Sequence, residues 1–517
     1  MGLIDIIIFI SYGLLIIFIG NFMVRSKSKQ RSTEDYFFAN KTLPWYLVGS
    51  SVIAANISAE QFIGMSGSGY AIGLAIAVYE WIAALVLIVV AKYFLPVFIH
   101  NKIFTMPQFL AIRYNNQIRT ILAVFWLALF VFVNLSSILY LGALTLHSVF
   151  GISMFYGIVG LALFSLLYTI TNGLKAIAST DIVQVFFLFV GGLITTWFAV
   201  NKVGGDTGIL NGFNELFQMV PEKFHMIIKK NDPNYTYLPG IRTVLGGIWI
   251  AGIYYFGANQ YIIQKAFGAK NLKEAQRGMM FAGYLKLILP FLVVVPGIVV
   301  YALHADIGRA DEAYPWLLSN IVPVGVKGLI FAALIAAIVS SFSAIINSAS
   351  TIFTMDLYKP YFKPGATDRQ MIFTGRLSSV VFVILSVAVA TSLGNFDQAF
   401  QFIQEYTGMV SPGITAIFIL GMFWKRTTAQ AAFWGTIISV PVSVAIKYFF
   451  PAMPFLDQML VVFFMVTAII VGISLLSKKE QKPGIETPSG IFKTDALFNI
   501  LSLIIILIFS GIYIVFW

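Results

Sequence analysis

Residues 51–64 read Ser-Val-Ile-Ala-Ala-Asn-Ile-Ser-Ala-Glu-Gln-Phe-Ile-Gly, which puts Asn56, Ser58, Glu60 and Gln61 together in a run that is apolar on both sides. Three smaller groups show the same contrast. Tyr79, Glu80 and Trp81 lie inside another apolar run, Lys286 stands alone between Leu285 and Leu287, and Ser340-Ser341 follow Ala336-Ala337. A lone buried ammonium needs a carboxylate or a polar ligand beside it. Adjacent serines in an apolar helix serve close packing or bond back to their own i−4 carbonyls. Where a distorted helix also frees the carbonyl of Ala337, Ser340 and Ser341 would instead offer neutral oxygens suited to a hard monovalent cation such as Na⁺. Catalytic groupings are missing. Gly64-Met65-Ser66-Gly67 matches the GxSG of intramembrane serine proteases, but His100, His147, His225 and His304 all fall at the ends of apolar runs or in loops. No HExxH, Walker loop or dinucleotide fingerprint occurs.

These residues sit in a chain that is 59% apolar, 15% aromatic and only 11% charged. Soluble globular proteins carry roughly 25% charged residues, so that class is excluded, and low charge without cysteine excludes disorder and a disulfide scaffold. Windows of roughly 19 residues predict about fourteen membrane-spanning helices. They lie near 3–24, 45–67, 69–99, 118–150, 152–171, 181–201, 240–267, 279–304, 325–357, 371–394, 397–420, 428–448, 453–475 and 495–517. Asp5, with no Lys or Arg before it, and a long apolar run mark the first as a retained helix, not a signal peptide. Backbone leaves the helix at membrane depth only where it is buried in protein or lines a cavity. The polar density at 56–61 therefore predicts a broken helix lining a site.

Topology follows from charge. Taking alternate gaps together, 24 of the 33 Lys and Arg residues fall on one face, among them Arg25, Lys27, Lys29 and Arg31. That face is expected in the cytoplasm, with both termini outside. The net charge of +11 then reports orientation and no nucleic-acid partner. Between 202 and 239, Phe213, Leu216, Phe217, Val220 and Phe224 predict a short amphipathic helix over the outer mouth. Residues 476–494, with Pro483, Gly484, Pro488 and Gly490, read as a polar linker.

Several blocks together resemble the sodium/solute symporter family, most closely bacterial sodium/galactose symporters, relatives of the animal sodium/glucose cotransporters. They are Ser32-Thr-Glu-Asp-Tyr-Phe37, the long string from Ala54 to Tyr70, Asn259-Gln-Tyr-Ile-Ile-Gln264, Pro323-Val-Gly-Val-Lys-Gly328, Ala336-Ala-Ile-Val-Ser-Ser341 and Gln404-Glu-Tyr-Thr-Gly408. The resemblance implies an all-α polytopic membrane protein with a five-plus-five inverted-repeat core whose first and sixth helices are broken. It divides the chain into an extra helix and cytoplasmic loop at 1–44, a first repeat at 45–201, an outer loop at 202–239, a second repeat at 240–426 and three extra helices at 427–517. In the sixth core helix Gly246-Gly247, Gly252 and Gly257 are the candidate breaks.

Carried over position by position, the resemblance implies a sodium site at the carbonyls of Ala54, Ile57 and Ala337 and the hydroxyls of Ser340 and Ser341. It implies sugar contacts from Gln61, Glu80, Asn134, Lys286 and Gln404, an inner gate at Tyr255 held by Asn56, an outer gate at Met65, Tyr79 and Phe400, and an ion exit path past Asp181. The implied activity is sodium-coupled uptake of a monosaccharide, galactose or glucose, across the cell membrane by a protein that is not an enzyme, with sodium co-transported. Myo-inositol, sialic acid or proline as substrate, or an uncoupled sodium/sugar sensor, are the alternatives. Three positions depart from the galactose symporters: Ala83 stands where they have serine, Gly252 where they have asparagine and Phe256 where they have tryptophan. Two hydrogen-bonding side chains are thereby lost.

Overall fold

The computed structural model describes residues 3–23, 41–171, 174–205, 208–393, 399–477 and 485–517. The basic cluster from Arg25 to Arg31, the Ser32–Phe37 block and the Pro483-Gly484 turn lie outside the described residues. Among the described residues the chain is helical with no strand, only an isolated bridge between Leu43 and Ala269. Among the described residues nine helices are long and apolar enough to cross a membrane, or ten if the pair on either side of Gly246, bent by 78°, counts as one span. Each of the fourteen ranges read from hydropathy overlaps a described helix; those outside this count include Leu3–Met23, Met154–Thr171 and Ser411–Phe423.

Interruption is what positions the site. The first broken helix runs Trp45–Asn56, leaves helical geometry at Ile57 (φ −81°, ψ 108°), and resumes as a π-helical turn over Glu60–Met65 and an α-helix over Ser66–Ala71. Polar residues fill the break because the end of an α-helix leaves its last carbonyls without partners. The second broken helix runs Ile241–Leu245, bends at Gly246, continues over Gly247–Ile253 and a π-helical turn at Tyr254–Ala258, opens at Asn259 (φ −88°, ψ 123°) and resumes over Gln260–Phe267. The breaks are therefore at Gly246 and Asn259. Gly252 and Gly257, expected as breaks, are helical, and their missing side chains admit neighbours: a Cβ would meet Val86 at 2.8 Å and the Phe94 ring at 3.0 Å. Backbone bonds from Leu43 N–H to the Gly268 carbonyl (2.9 Å) and from Lys270 N–H to the Leu43 carbonyl (3.0 Å) tie the start of the first broken helix to the end of the second.

Three other expectations shift. The second span ends at Ala71, with Gly73 turning at φ +98° before the next, later than read from hydropathy, because Gly67 and Gly69 are helical. The span at 397–420 divides into Ala399–Gly408 and Ser411–Phe423. The Val326–Ile352 helix runs unbroken through 337–341, so no distortion frees the Ala337 carbonyl. Its second lone pair is what remains available.

The Leu272–Ala302 helix lies along both halves of the first broken helix. Glycines let the backbones meet: a Cβ on Gly49 would stand 2.5 Å from the Gly278 carbonyl oxygen, and one on Gly297 2.0 Å from that of Ser66. Such close approach between small residues is how helices associate where lipid removes the hydrophobic drive. In the 202–239 segment the amphipathic helix forms over Ile209–Met219, with Leu216 fully buried. The segment then sends Lys223 Nζ to the carbonyls of Tyr70 (3.0 Å) and Ala71 (2.8 Å), capping the end of the first broken helix.

Gly297→Ala forces a methyl into the Ser66 carbonyl. It should cost about 1–3 kcal/mol and lower the melting temperature of the detergent-purified protein. Gly160→Ala, whose Cβ meets nothing within 4 Å, should leave that temperature unchanged or raise it.

Candidate functional site

The carbonyls of Ala54 and Ile57 are left over where Trp45–Asn56 stops. Ala54 would ordinarily accept from Ser58 N–H, but that amide donates to Gln61 Oε1 (3.0 Å). Ser341 Oγ, from the Val326–Ile352 helix, donates to both freed carbonyls, at 2.8 Å to Ala54 and 3.1 Å to Ile57. The structure thus gathers three of the five oxygens expected for sodium around one buried hydroxyl. Ala337 is buried one turn away on the same helix. Ser340 is committed elsewhere: its hydroxyl donates to Asp181, which also accepts from Ser51 Oγ and pairs with Lys265 Nζ at 3.2 Å. Asp181 is wholly buried, so its charge is balanced inside the protein by Lys265, a partner the sequence reading missed. Its signal was a lysine six residues past the Asn259 break, counted only toward topology. Among the described residues no three His, Asp or Glu side chains converge as a metal site, and hard neutral oxygens are the chemistry present.

On the other side of Asn56 a cleft of about 720 Å³, counting its open part, collects most of the remaining predicted residues. Asn56, Gln61, Tyr79, Glu80, Tyr255, Lys286, Phe400 and Gln404 all line it, as do the altered positions Ala83, Gly252 and Phe256. Lys286 Nζ donates to Glu80 Oε2 and to Asn56 Oδ1, all three side chains being buried. Asn56 Nδ2 donates in turn to the Tyr255 hydroxyl at 3.0 Å, and the Tyr261 hydroxyl also reaches Tyr255. The Lys286 ammonium stands 5.7 Å from the Phe256 ring centroid, so the residue replacing tryptophan still offers an aromatic face to the cation. Tyr79 and Phe400 meet edge to face at 5.4 Å between centroids in the wall of the same cleft.

Two predicted residues lie elsewhere. Asn134, on the π-helical turn Leu129–Leu135, and Met65 are buried but do not line the cleft. Glu60 does line it, with Oε1 buried and unpartnered; the sequence marked its polarity, and the resemblance gave it no role. Phe455, Leu456 and Met459, from the helix Phe455–Leu476 expected outside the core, close another wall. Gly247 makes that contact possible, since a Cβ there would stand 2.0 Å from the Leu456 carbonyl oxygen. Salt bridges from Arg242 to Asp457 (2.9 Å) and Lys447 to Glu405 (2.6 Å) pin the same helix cluster.

Comparison with known proteins places the chain in a family. The family model described as "Sodium:solute symporter family" matches residues 36–439. The chain is 49% identical, over 100% of its length and 99% of the relative's, to a sodium/glucose cotransporter of Vibrio parahaemolyticus. It is 32% identical to sodium/myo-inositol cotransporter 2 of Mus musculus, over 88% of this chain and 72% of that one. In fold it matches a sodium-coupled sialic acid symporter solved in a substrate-bound outward-open state, with a TM-score of 0.82, 24% identity and coverage of 92% of this chain and 98% of that one. A family model matched over most of the chain, together with a full-length relative at 49% identity, makes this helical chain a member of the sodium:solute symporter family.

Proposed function

We propose that the protein carries a monosaccharide, galactose or glucose, into the cell with Na⁺ by alternating access. The observation that carries this reading is the double use of one helix end. The carbonyls of Ala54 and Ile57 meet Ser341, while Asn56 between them bonds Lys286 and Tyr255 in the cleft. A cation held by the first set fixes the angle at which the second is presented, which ties ion binding to solute binding. We assign the sodium ligands to Ala54, Ile57, Ala337, Ser340 and Ser341, and the ion's exit to Asp181, from which Ser340 must turn to coordinate. The nearby sugar/sodium relatives support the choice of cargo. At −100 mV one charge contributes about 2.3 kcal/mol before any sodium gradient. The basic excess supports both termini outside the cell membrane, and the repeat boundaries at 45–201 and 240–426 follow the family's arrangement.

The cleft's chemistry fits a neutral polyol. The Lys286 ammonium has three donors; Glu80 and Asn56 take two, leaving one for a sugar oxygen. Gln61 and Gln404 add amides that both donate and accept, and Tyr255 provides a ring for the pyranose face. Gln61 has a second duty, since its Oε1 caps Ser58 N–H in the break. Removing the whole side chain would therefore disturb the ion site as well.

In proteoliposomes, uptake of labelled galactose or glucose should require Na⁺ outside; equal uptake in choline medium would reject the proposal. Ser341→Ala should raise the Na⁺ concentration for half-maximal uptake about tenfold, equivalent to about 1.4 kcal/mol, without changing the order of preference among sugars. Gln61→Glu keeps the capping oxygen and loses the amide donor, so it should weaken sugar binding at least about tenfold while the added carboxylate leaves Na⁺ binding, read by tryptophan fluorescence, undiminished or tighter. In a competition panel of hexoses and inositols, Ala83→Ser should move preference toward galactose by about 1 kcal/mol. Gly252→Asn should do so only together with Val86→Ala, because Val86 fills the space a side chain at 252 needs. Inositols outcompeting both hexoses would replace the sugar by a cyclitol.

A further inference from the structure

One wall of the cleft comes from Phe455–Leu476, the helix expected at the periphery. Phe455 and Met459 lie one turn apart on it and so share a face. Met459 is 3% exposed and packs on Gly408, where a Cβ would stand 2.9 Å from its Sδ. Gly408 is one turn past Gln404 on Ala399–Gly408, which sets the thioether beside a proposed sugar contact. The backbone behind Met459 is fixed, because Gly247 meets the Leu456 carbonyl too closely for a side chain. Beyond Met459 lies a smaller pocket of about 270 Å³, counting its open part. Gly408, Phe455 and Met459 line both spaces, and the far one adds Glu405, Ser443 and Gln458. Lys447 pairs there with Glu405 at 2.6 Å.

We propose that Met459 is a specificity-determining residue: its side chain divides the cleft from the smaller pocket and so sets the largest ring substituent a substrate can carry. This rests on the reading of the cleft as the site of a small polyol. An unbranched thioether fits the gap over Gly408, and with the backbone fixed only that stem can give way. A substituent directed at it has to displace a buried side chain from packed surroundings, which is costly in the way overpacking is. Cγ, Sδ and Cε together match a propyl group in size. Cutting the side chain back to a methyl joins the two spaces. The hydrogen-bonding groups Asn56, Glu80, Lys286 and Gln404 come from other helices, so the size limit should move while the polyol contacts stay.

The test is competition, in proteoliposomes holding the full chain, against Na⁺-driven uptake of the labelled hexose or myo-inositol. The competitors are mono-O-propyl derivatives of the hexoses and of myo-inositol, with each hydroxyl substituted in turn. Against the unsubstituted protein, the isomer that directs its propyl group at Met459 should compete at least about tenfold more weakly than its parent. Against Met459→Ala the same isomer should come within about threefold of the parent. Met459→Leu, similar in volume, should behave as the unsubstituted protein, and the Na⁺ concentration for half-maximal uptake should not change in either variant. Met459→Val removes less and should show the same gain for the O-ethyl isomer, which keeps the test open where the alanine variant folds poorly. The proposal is overturned when no isomer gains more than about threefold in the shortened variants, or when Met459→Leu gains as much as Met459→Ala. A gain confined to the inositol series would support the role of Met459 while replacing the hexose as cargo, so the two readings fail separately.

Discussion

Backbone carbonyls that end a helix inside a membrane must find partners within the protein, because lipid supplies none. The Trp45–Asn56 helix stops with Ala54 and Ile57 in that position, and the surrounding structure is arranged to satisfy them. Gln61 withdraws the amide that would have paired with Ala54, Ser341 reaches both carbonyls from another helix, and the glycine contacts of Leu272–Ala302 hold the two halves of the broken helix in register. Three neutral oxygens are thereby gathered out of contact with lipid, with the Ser341 hydroxyl shared between the two carbonyls.

Charge inside the membrane is treated in the same way, by pairing across elements distant in sequence. Glu80 meets Lys286, and Asp181 meets Lys265. Breaking such pairs by removing one partner leaves an uncompensated buried charge, which costs far more than the pair contributes. The two pairs differ in what surrounds them. Lys286 opens onto the cleft and shares donors with Asn56, so a ligand can join it. Asp181 is enclosed by two serines and a lysine, with no cleft beside it to admit a ligand.

Specificity in the cleft is a matter of coupled positions. Gly252 stands where relatives of known motif carry asparagine, yet the cleft is not enlarged there, because Val86 occupies the space. Phe256 stands where a tryptophan is expected and still faces the Lys286 ammonium. Lost hydrogen bonds have thus been replaced by apolar packing, leaving fewer groups to discriminate among hydroxyl configurations. The helix Phe455–Leu476, expected at the periphery, adds a further apolar wall.

How much of this was legible beforehand depended on the range of the interaction. Hydropathy located the helices, polar density at 56–61 located the break, and Phe213 to Phe224 located an amphipathic helix, since each signal is carried by residues close together in the chain. The family blocks extended that reading to eight residues that do line the cleft. Glycine misled where its two uses look alike: Gly246 bends the backbone, whereas Gly252 and Gly257 only admit a neighbour, and nothing local separates the cases. Which lysine neutralises Asp181, which side chain fills the gap at Gly252, why Asn134 and Met65 lie off the cleft, and how Phe455–Leu476 comes to wall it were all decided by tertiary structure. Composition and local pattern determine where a chain can be helical and where it must not face lipid. Pairing partners across 84 or 206 residues exist only once the helices have packed, because the energy that selects them depends on distances the sequence does not contain.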